Sequence, residues 1–262
     1  MKLLFLGDIV GRPGRKTVEK YLPQIIKEKN PDWVIANAEN IAGGKGFTKS
    51  TLNEMMKLGI DAFTGGNHIF SNPEGFDLLE KRVFPLAVPA NFSDAAPGDR
   101  SLIVESKSGK KLLLVSLLGQ TFMKQTVSSP FEKVDEILDE YSETDYDVSL
   151  FDFHAEATSE KYALKAYLDG RASALVGTHT HIPTADADIT SEGLAYQTDT
   201  GMNGSLDSCI GVKNKLILKK IMTQLSVSHE LEKRGRMQFN AVLITFDKEG
   251  KAKKISPIRK VA

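Results

Sequence analysis

Cysteine is almost missing from this chain of 262 residues, Cys209 being the only one. No intrachain disulfide can form, and neither can a four-thiolate zinc site. The single thiol fits a reducing compartment. Net charge is missing too: Lys plus Arg and Asp plus Glu number 34 each. That balance excludes a global basic footprint for a long nucleic-acid tract and a polybasic block for a membrane surface. It leaves room for a local charged cleft. Long apolar runs are also absent. The opening "MKLLFLGDIVG" holds about four consecutive apolar residues before Gly7 and Asp8, too few for a signal-peptide core. No segment approaches the roughly 20 apolar residues of a membrane span. A cytoplasmic protein is expected. No repeat, low-complexity tract or long linker marks a boundary, so the expectation is one domain over residues 1–262, long enough to bury a full core.

What is present alternates. "KLLFLG" (2–7), "DWVIANA" (32–38) and "DAFTGG" (61–66) are short apolar runs that predict buried strands. Between and after them, 15–29, 48–59 and 73–81 predict helices, the first bent at Pro23. Residues 101–119 predict a hairpin around Ser108-Gly109-Lys110. A helix (131–141), a strand (148–153), a helix (158–169) and a strand (173–177) restore the alternation. Further hairpins are expected over 186–199 and 237–261, the latter turning at Lys248-Glu249-Gly250, with a helix over 212–225 between them. Mixed βαβ units and hairpins imply an α/β fold built as a two-sheet sandwich with helices outside.

Histidine is scarce, with five in all, and its placement is the first functional signal. The strand over 2–7 ends at Asp8, 32–38 at Glu39-Asn40, and 61–66 at Asn67-His68. The strand over 148–153 ends at His154, and 173–177 at His179 and His181. Ligands of α/β sheets bind at the carboxyl ends of strands. Taken singly, each residue has a plainer explanation: a turn-capping Asp, a core His, a surface His. Taken together, those explanations require five coincidences. Only His229 falls outside the set. Residues i and i+2 of an extended segment share a face, so His179 and His181 are expected to face one target from extended backbone.

Carboxylate, amide oxygen and imidazole without thiolate suit Mn, Fe or catalytic Zn. Asp8, Glu39, Asn40, Asn67, His154, His179 and His181 are too many for one ion with an open position. They suit two ions with Glu39 as the bridge. Two divalent ions, less two carboxylates and one bridging hydroxide, leave a single positive charge, which favours an anionic phosphoester. A metal lowers the pKa of its water to roughly 7, so hydroxide is available near neutral pH.

The motifs "GDIVG", "NAEN", "GGNH", "DFHAEATSEK" and "VGTHTH" resemble those of the calcineurin-like metallophosphoesterases, specifically their YmdB-like branch of bacterial proteins. Asp8-Ile9-Val10 departs from the Asp-x-His of the broad superfamily, and Glu39 stands where that superfamily usually has Asp. Both departures agree with the branch, where the asparagine at Asn40 replaces the missing histidine. The resemblance implies Asp8, Glu39, Asn40 and His181 on one ion and Glu39, Asn67, His154 and His179 on the other. The ions are iron or manganese, with zinc possible. It implies His68 as the catalytic acid that protonates the leaving group, and a phosphodiesterase of cyclic nucleotides, 2′,3′-cyclic ones foremost. An imidazole has a fitting unperturbed pKa of about 6.5, and a general acid contributes roughly 10²–10⁴-fold. As an alternative, His68 is an eighth ligand or an anchor behind the ligands. Lys45 in "AGGKGFT", Arg12 and Arg15 in "GRPGR", and "TDTGMNG" (198–204) are weaker candidates for substrate contact.

Two other functions fit the same residues: a phosphomonoesterase or nucleotidase on the same metal centre, and a regulatory protein whose metal site supports partner binding. Zero net charge argues against a nuclease with a long electrostatic tract but not against a short oligonucleotide. A small-molecule phosphodiester is the expected partner, with a homo-oligomer as a further expectation.

Overall fold

The computed structural model describes residues 1–142 and 144–262. In chain order the elements begin β1 (Lys2–Leu6), α1 (Gly11–Lys29), β2 (Trp33–Asn37), α2 (Lys49–Met56), β3 (Ala62–Thr64), α3 (Pro73–Glu80) and β4 (Leu86–Ala87). They continue with β5 (Ser101–Glu105), β6 (Lys111–Leu118), α4 (Pro130–Glu140), β7 (Val148–His154), α5 (Thr158–Leu168) and β8 (Ala174–Thr178). The last are β9 (Asp188–Ile189), β10 (Ala195–Gln197), β11 (Gly204–Ser205), α6 (Asn214–Thr223), β12 (Met237–Phe246) and β13 (Ala252–Val261).

The strands form two mixed sheets. One runs β11-β12-β1-β2-β3-β4 with β13 on β12; the other runs β5-β6-β7-β8-β10-β9. β1, β2 and β3 are parallel to one another, as are β6, β7 and β8. Parallel strands deliver their carboxyl ends to one edge, which is the edge that matters here.

Period-two alternation decides which side chains meet. Leu3 and Phe5 of β1, with Trp33 and Ile35 of β2, point between the sheets onto Leu112, Leu114, Leu150 and Val176. Leu4 and Leu6 point the other way, onto Val18, Leu22 and Ile25 of α1. In the second sheet Val115, Phe151 and Phe153 face outward onto Val134, Ile137, Leu164 and Leu168 of α4 and α5. The result is helix, sheet, sheet, helix, as the alternating pattern implies. Trp33 ties the sheets by donating its indole N–H to the Val104 carbonyl at 2.9 Å.

The helix expected over 15–29 starts earlier, at Gly11, and runs unbroken through Pro23. Pro13 costs nothing in the first turn, where its N–H would have no partner. The hairpin expected over 186–199 exists as β9 and β10, but β10 also pairs parallel with β8. Among the described residues no helix is long and apolar enough to cross a membrane.

Candidate metal centre

Every strand end singled out above arrives at the same edge. Asp8, Glu39 and His154, all buried, bring their ligand atoms within 4.8 Å of one another. Around them the side chains fall into two groups that share Glu39.

In the first group the Asn40 amide nitrogen lies 3.3 Å from Asp8 Oδ1, 2.9 Å from Glu39 Oε1 and 3.3 Å from His181 Nε2. His181 donates Nδ1–H to the Ile210 carbonyl at 3.0 Å, which turns Nε2 inward. Burial alone would raise the Asp8 carboxyl, but the charge and hydrogen bond of His181, with His154 behind it, hold it well below the usual carboxylate range. Burial works against a charge on His181, yet Asp8 lifts it to about 9.

In the second group His154 Nε2 lies 2.9 Å from Asn67 Oδ1, 3.0 Å from His179 Nδ1 and 3.2 Å from Glu39 Oε1. The tautomer is set from behind. Thr178 donates its hydroxyl to Asp152 Oδ1 at 2.7 Å, so it accepts from His154 Nδ1–H at 2.8 Å. His179 turns Nε2 to Glu156 Oε2 at 3.2 Å. Asn67 Oδ1, His179 Nδ1 and Glu39 Oε1 therefore all crowd His154 Nε2. Burial and the charge of His154 push His179 down to about 3, leaving the proton to His154, which Glu39 raises against its burial.

This chemistry fits metal ions. Two clusters of oxygen and imidazole donors share one carboxylate, with no thiolate among them. The cradle is tight: a Cβ on Gly66 would meet Glu39 Oε2 at 2.2 Å and His154 Cδ2 at 2.7 Å. The Asn40 amide hydrogens answer Asp8 Oδ1 and Glu39 Oε1. A half-turn of that amide presents its oxygen instead.

His68 stands at the rim, half-buried. Its backbone N–H donates to Glu39 Oε2 at 2.9 Å. The Asn67 amide, its oxygen facing His154, turns its nitrogen to His68 Nδ1 at 3.0 Å. Nδ1 is then an acceptor and the ring proton sits on Nε2. Burial, with the charges of His154 and Lys45, lowers the His68 pKa despite Glu39.

Three expectations change. His179 and His181 do not share a face of extended backbone: β8 ends at Thr178, and their φ values are 95° and 67°. Left-handed backbone at both sends the rings apart, His179 to His154 and His181 to Asp8. Arg15 is occupied by Glu54 at 2.7 Å and the Ile41 carbonyl at 2.8 Å. The 198–204 stretch serves as a clasp: Asn203 N–H donates to the Asp8 carbonyl at 2.7 Å and Met202 N–H to the His181 carbonyl at 3.1 Å.

Other residues escaped the sequence reading. Asp152, fully buried, accepts from Asn37 Nδ2 at 3.0 Å, from the Thr64 hydroxyl and from Thr178. It thereby straps one sheet to the other directly behind His154, and its burial pushes its pKa up to about 6. Lys161 and Asp199, both buried, grip the loop of His179 and His181. Lys161 Nζ donates to the Thr178 carbonyl at 2.8 Å, and Asp199 Oδ2 accepts from Thr180 N–H at 3.0 Å. The only advance signal for Lys161 was its place in "DFHAEATSEK".

The YmdB-like protein family profile matches residues 4–258. The chain belongs to the YmdB-like family. A 2′,3′-cyclic-nucleotide 2′-phosphodiesterase of Bacillus subtilis (strain 168) is 42% identical over 252 residues, covering 96% of this chain and 93% of the relative. The crystal structure of a hypothetical protein from Thermus thermophilus superposes with a TM-score of 0.92 at 38% identity, covering 100% of this chain and 99% of that one. That of a novel phosphatase of Mycoplasma pneumoniae also gives 0.92, at 31% identity, covering 100% and 93%. Membership of the YmdB-like family makes the chain a hydrolase of the metallophosphoesterase class, and Asp8, Glu39 and His154 form a candidate metal site within it.

Proposed function

We propose that the protein, acting as one metallophosphoesterase domain over 1–262, hydrolyses cyclic phosphodiesters of nucleotides, 2′,3′-cyclic nucleotides foremost. The observation that carries this reading is the pair of donor clusters joined by Glu39. The relative at 42% identity, named as a 2′,3′-cyclic-nucleotide 2′-phosphodiesterase, gives the substrate class.

Asp8, Glu39, Asn40 and His181 would hold one ion, and Glu39, Asn67, His154 and His179 the other, with iron or manganese preferred and zinc compatible. Such ions supply Lewis acidity toward phosphoryl oxygens and lower the pKa of water so that a hydroxide nucleophile exists near neutral pH. The chain's own residues do the rest. Glu39 sets the spacing of the two clusters. Thr178 and Ile210 fix the His154 and His181 rings so that their lone pairs face inward. His68 delivers a proton to the departing ribose oxygen as the imidazolium and is left as neutral imidazole, which requires Nδ1 to be released from the Asn67 amide and protonated before the step. Its lowered pKa makes the imidazolium a stronger acid and a smaller share of the protein near neutral pH.

The test is turnover of 2′,3′-cyclic AMP against a phosphomonoester at equal concentration by protein purified without chelator. Expected are diester hydrolysis, about two ions per chain by elemental analysis, and loss of both in Glu39→Gln. His68→Ala should keep the ions and lose roughly 10²–10⁴ in kcat. Hydrolysis of the monoester alone would replace this reading by the phosphatase one, which the name of the Mycoplasma pneumoniae relative favours. Biological output that survives both substitutions would mean that the metal site serves partner binding.

A further inference from the structure

His229, the one histidine outside the strand-end set, lies in a segment that packs against the loops of the metal centre. The path can be followed atom by atom. The Ile210 carbonyl that orients His181 is followed by Gly211, whose carbonyl accepts from Glu232 N–H at 2.9 Å; Lys213 N–H donates to the Glu230 carbonyl at 3.0 Å. Leu231 lies buried between those two rungs with Val10 and Met202. It packs against the loop that follows Asn40, so closely that a Cβ on Gly44 would sit 3.1 Å from Leu231 Cδ2. His229 lies two residues before Leu231 and lines the cleft beside this clasp.

Beyond His229 opens a cleft of about 830 Å³ lined by Lys213, Lys215, Lys233 and Arg234 together with Glu230 and Glu232. Four permanent cations face two carboxylates in a chain whose overall charge is zero. The carboxylates are engaged: Glu230 with Lys213 at 2.7 Å, and Glu232 with the backbone N–H groups of Lys233 and Arg234 at 2.8 and 3.0 Å. Among the described residues Lys215, Lys233 and Arg234 have no ion pair. The first turn of α6, at Lys213 and Asn214, borders the same cleft with no side-chain cap and no acidic residue of its own, so the positive end of the helix dipole is open there. With four cations against two carboxylates the lining is net positive, and a net positive lining gathers anions.

We propose that this cleft is a second anion subsite of the same active site. It takes a phosphate that the substrate carries one ribose away from the scissile one, either the 5′-phosphate of a nucleotide or the internucleotide phosphate of a short oligonucleotide. The proposal rests on the cyclic-phosphodiesterase reading for the identity of the scissile group. It explains how a chain with no basic tract discriminates among substrates: by a few cations beside the metals, with no polymer-long surface. Phosphate contacts of this kind position a ligand without reading its base.

The test is calorimetric binding to the metal-loaded protein, so it needs no turnover. Adenosine 3′,5′-bisphosphate and a diadenylate ending in a 3′-phosphate are compared with adenosine 3′-phosphate. At least one of the two is expected to bind roughly tenfold tighter than the monophosphate, the size of one good charge-assisted contact. Raising the salt should shrink that preference, and it should fall to near unity in the Lys215→Gln/Arg234→Gln variant. Both side chains are exposed, so the variant's melting temperature should match that of the wild type. Preference for the bisphosphate alone assigns the 5′-phosphate; preference for the diadenylate assigns the internucleotide phosphate. Equal binding of all three ligands, or a preference that survives in the variant, overturns the subsite. If 2′,3′-cyclic AMP is not hydrolysed but the preference and its loss are observed, the subsite stands and the assigned reaction falls.

Discussion

Lys161 Nζ lies 3.0 Å from Asp199 Oδ2, and neither side chain reaches solvent. The pair brackets the two histidines whose backbone is left-handed, a conformation that costs of order 1–3 kcal/mol at each non-glycine residue. Lys161→Met would leave a buried carboxylate without its cation, so a loss of about 3–5 kcal/mol is expected. Lys161→Met/Asp199→Asn should recover part of that stability but not the metal affinity, because the loop is no longer gripped. Melting curves and metal titration of the two variants check this. A Lys161→Met protein that melts with the wild type would remove the pair from any such role.

Thr178 turns His154 inward by accepting its Nδ1 proton. Thr178→Val removes that acceptor and leaves the shape nearly unchanged. Metal affinity should drop roughly 10–100-fold, as is usual when the partner behind a ligating histidine is lost. Thr178→Ser should restore it. Competition with a coloured chelator measures the affinity, and equal affinity for the valine and threonine proteins would contradict the assigned tautomer.

Gly66→Ala tests the cradle. The added methyl would sit 2.2 Å from Glu39 Oε2, so Glu39 must swing out of the shared position. The expected protein is folded, by circular dichroism, with metal content well below that of wild type. Full occupancy would show that Glu39 is not held where the two clusters need it.

The metal-free protein should show a particular pH profile. Asp8 is held below its ordinary value, so its share of stability is present above about pH 3.9, the unfolded value, and fades as pH falls below that. His181 is raised to about 9, so its share is complete below its unfolded value of about 6.5 and is lost as pH rises through about 9. The melting temperature of chelator-treated protein should therefore fall between pH 6.5 and 9. Metal affinity should rise over the same interval, because an ion displaces the His181 proton. A melting temperature that climbs from pH 6.5 to 9 would refute the Asp8–His181 pairing.

Much of this was legible in the chain. The apolar runs of β1, β2, β7 and β8 mark strands buried on both faces, and the polar residue after each marks where it stops. That sufficed to bring Asp8, Glu39, Asn67 and His154 to one edge, because parallel strands share a direction. Spacing failed at His179 and His181, where the local rule for extended backbone was overridden by Asp199, a residue near in space and distant in sequence. His229 was illegible for a similar reason. Its neighbours are polar and exposed, and only the packing of Leu231 on the glycine loop carries its segment against the loops of the site. Lys161 and Asp152 look like surface charges in the sequence; burial, which no single sequence reports, gives them their meaning.

The position of β1 has a consequence for synthesis. It lies between β2 and β12, and its Asp8 carbonyl is held by Asn203. A ribosome delivers β12 only after some two hundred residues beyond Asp8 have emerged. Until then β1 has β2 beside it but not β12, and its second edge is covered only when the returning strand pairs with it.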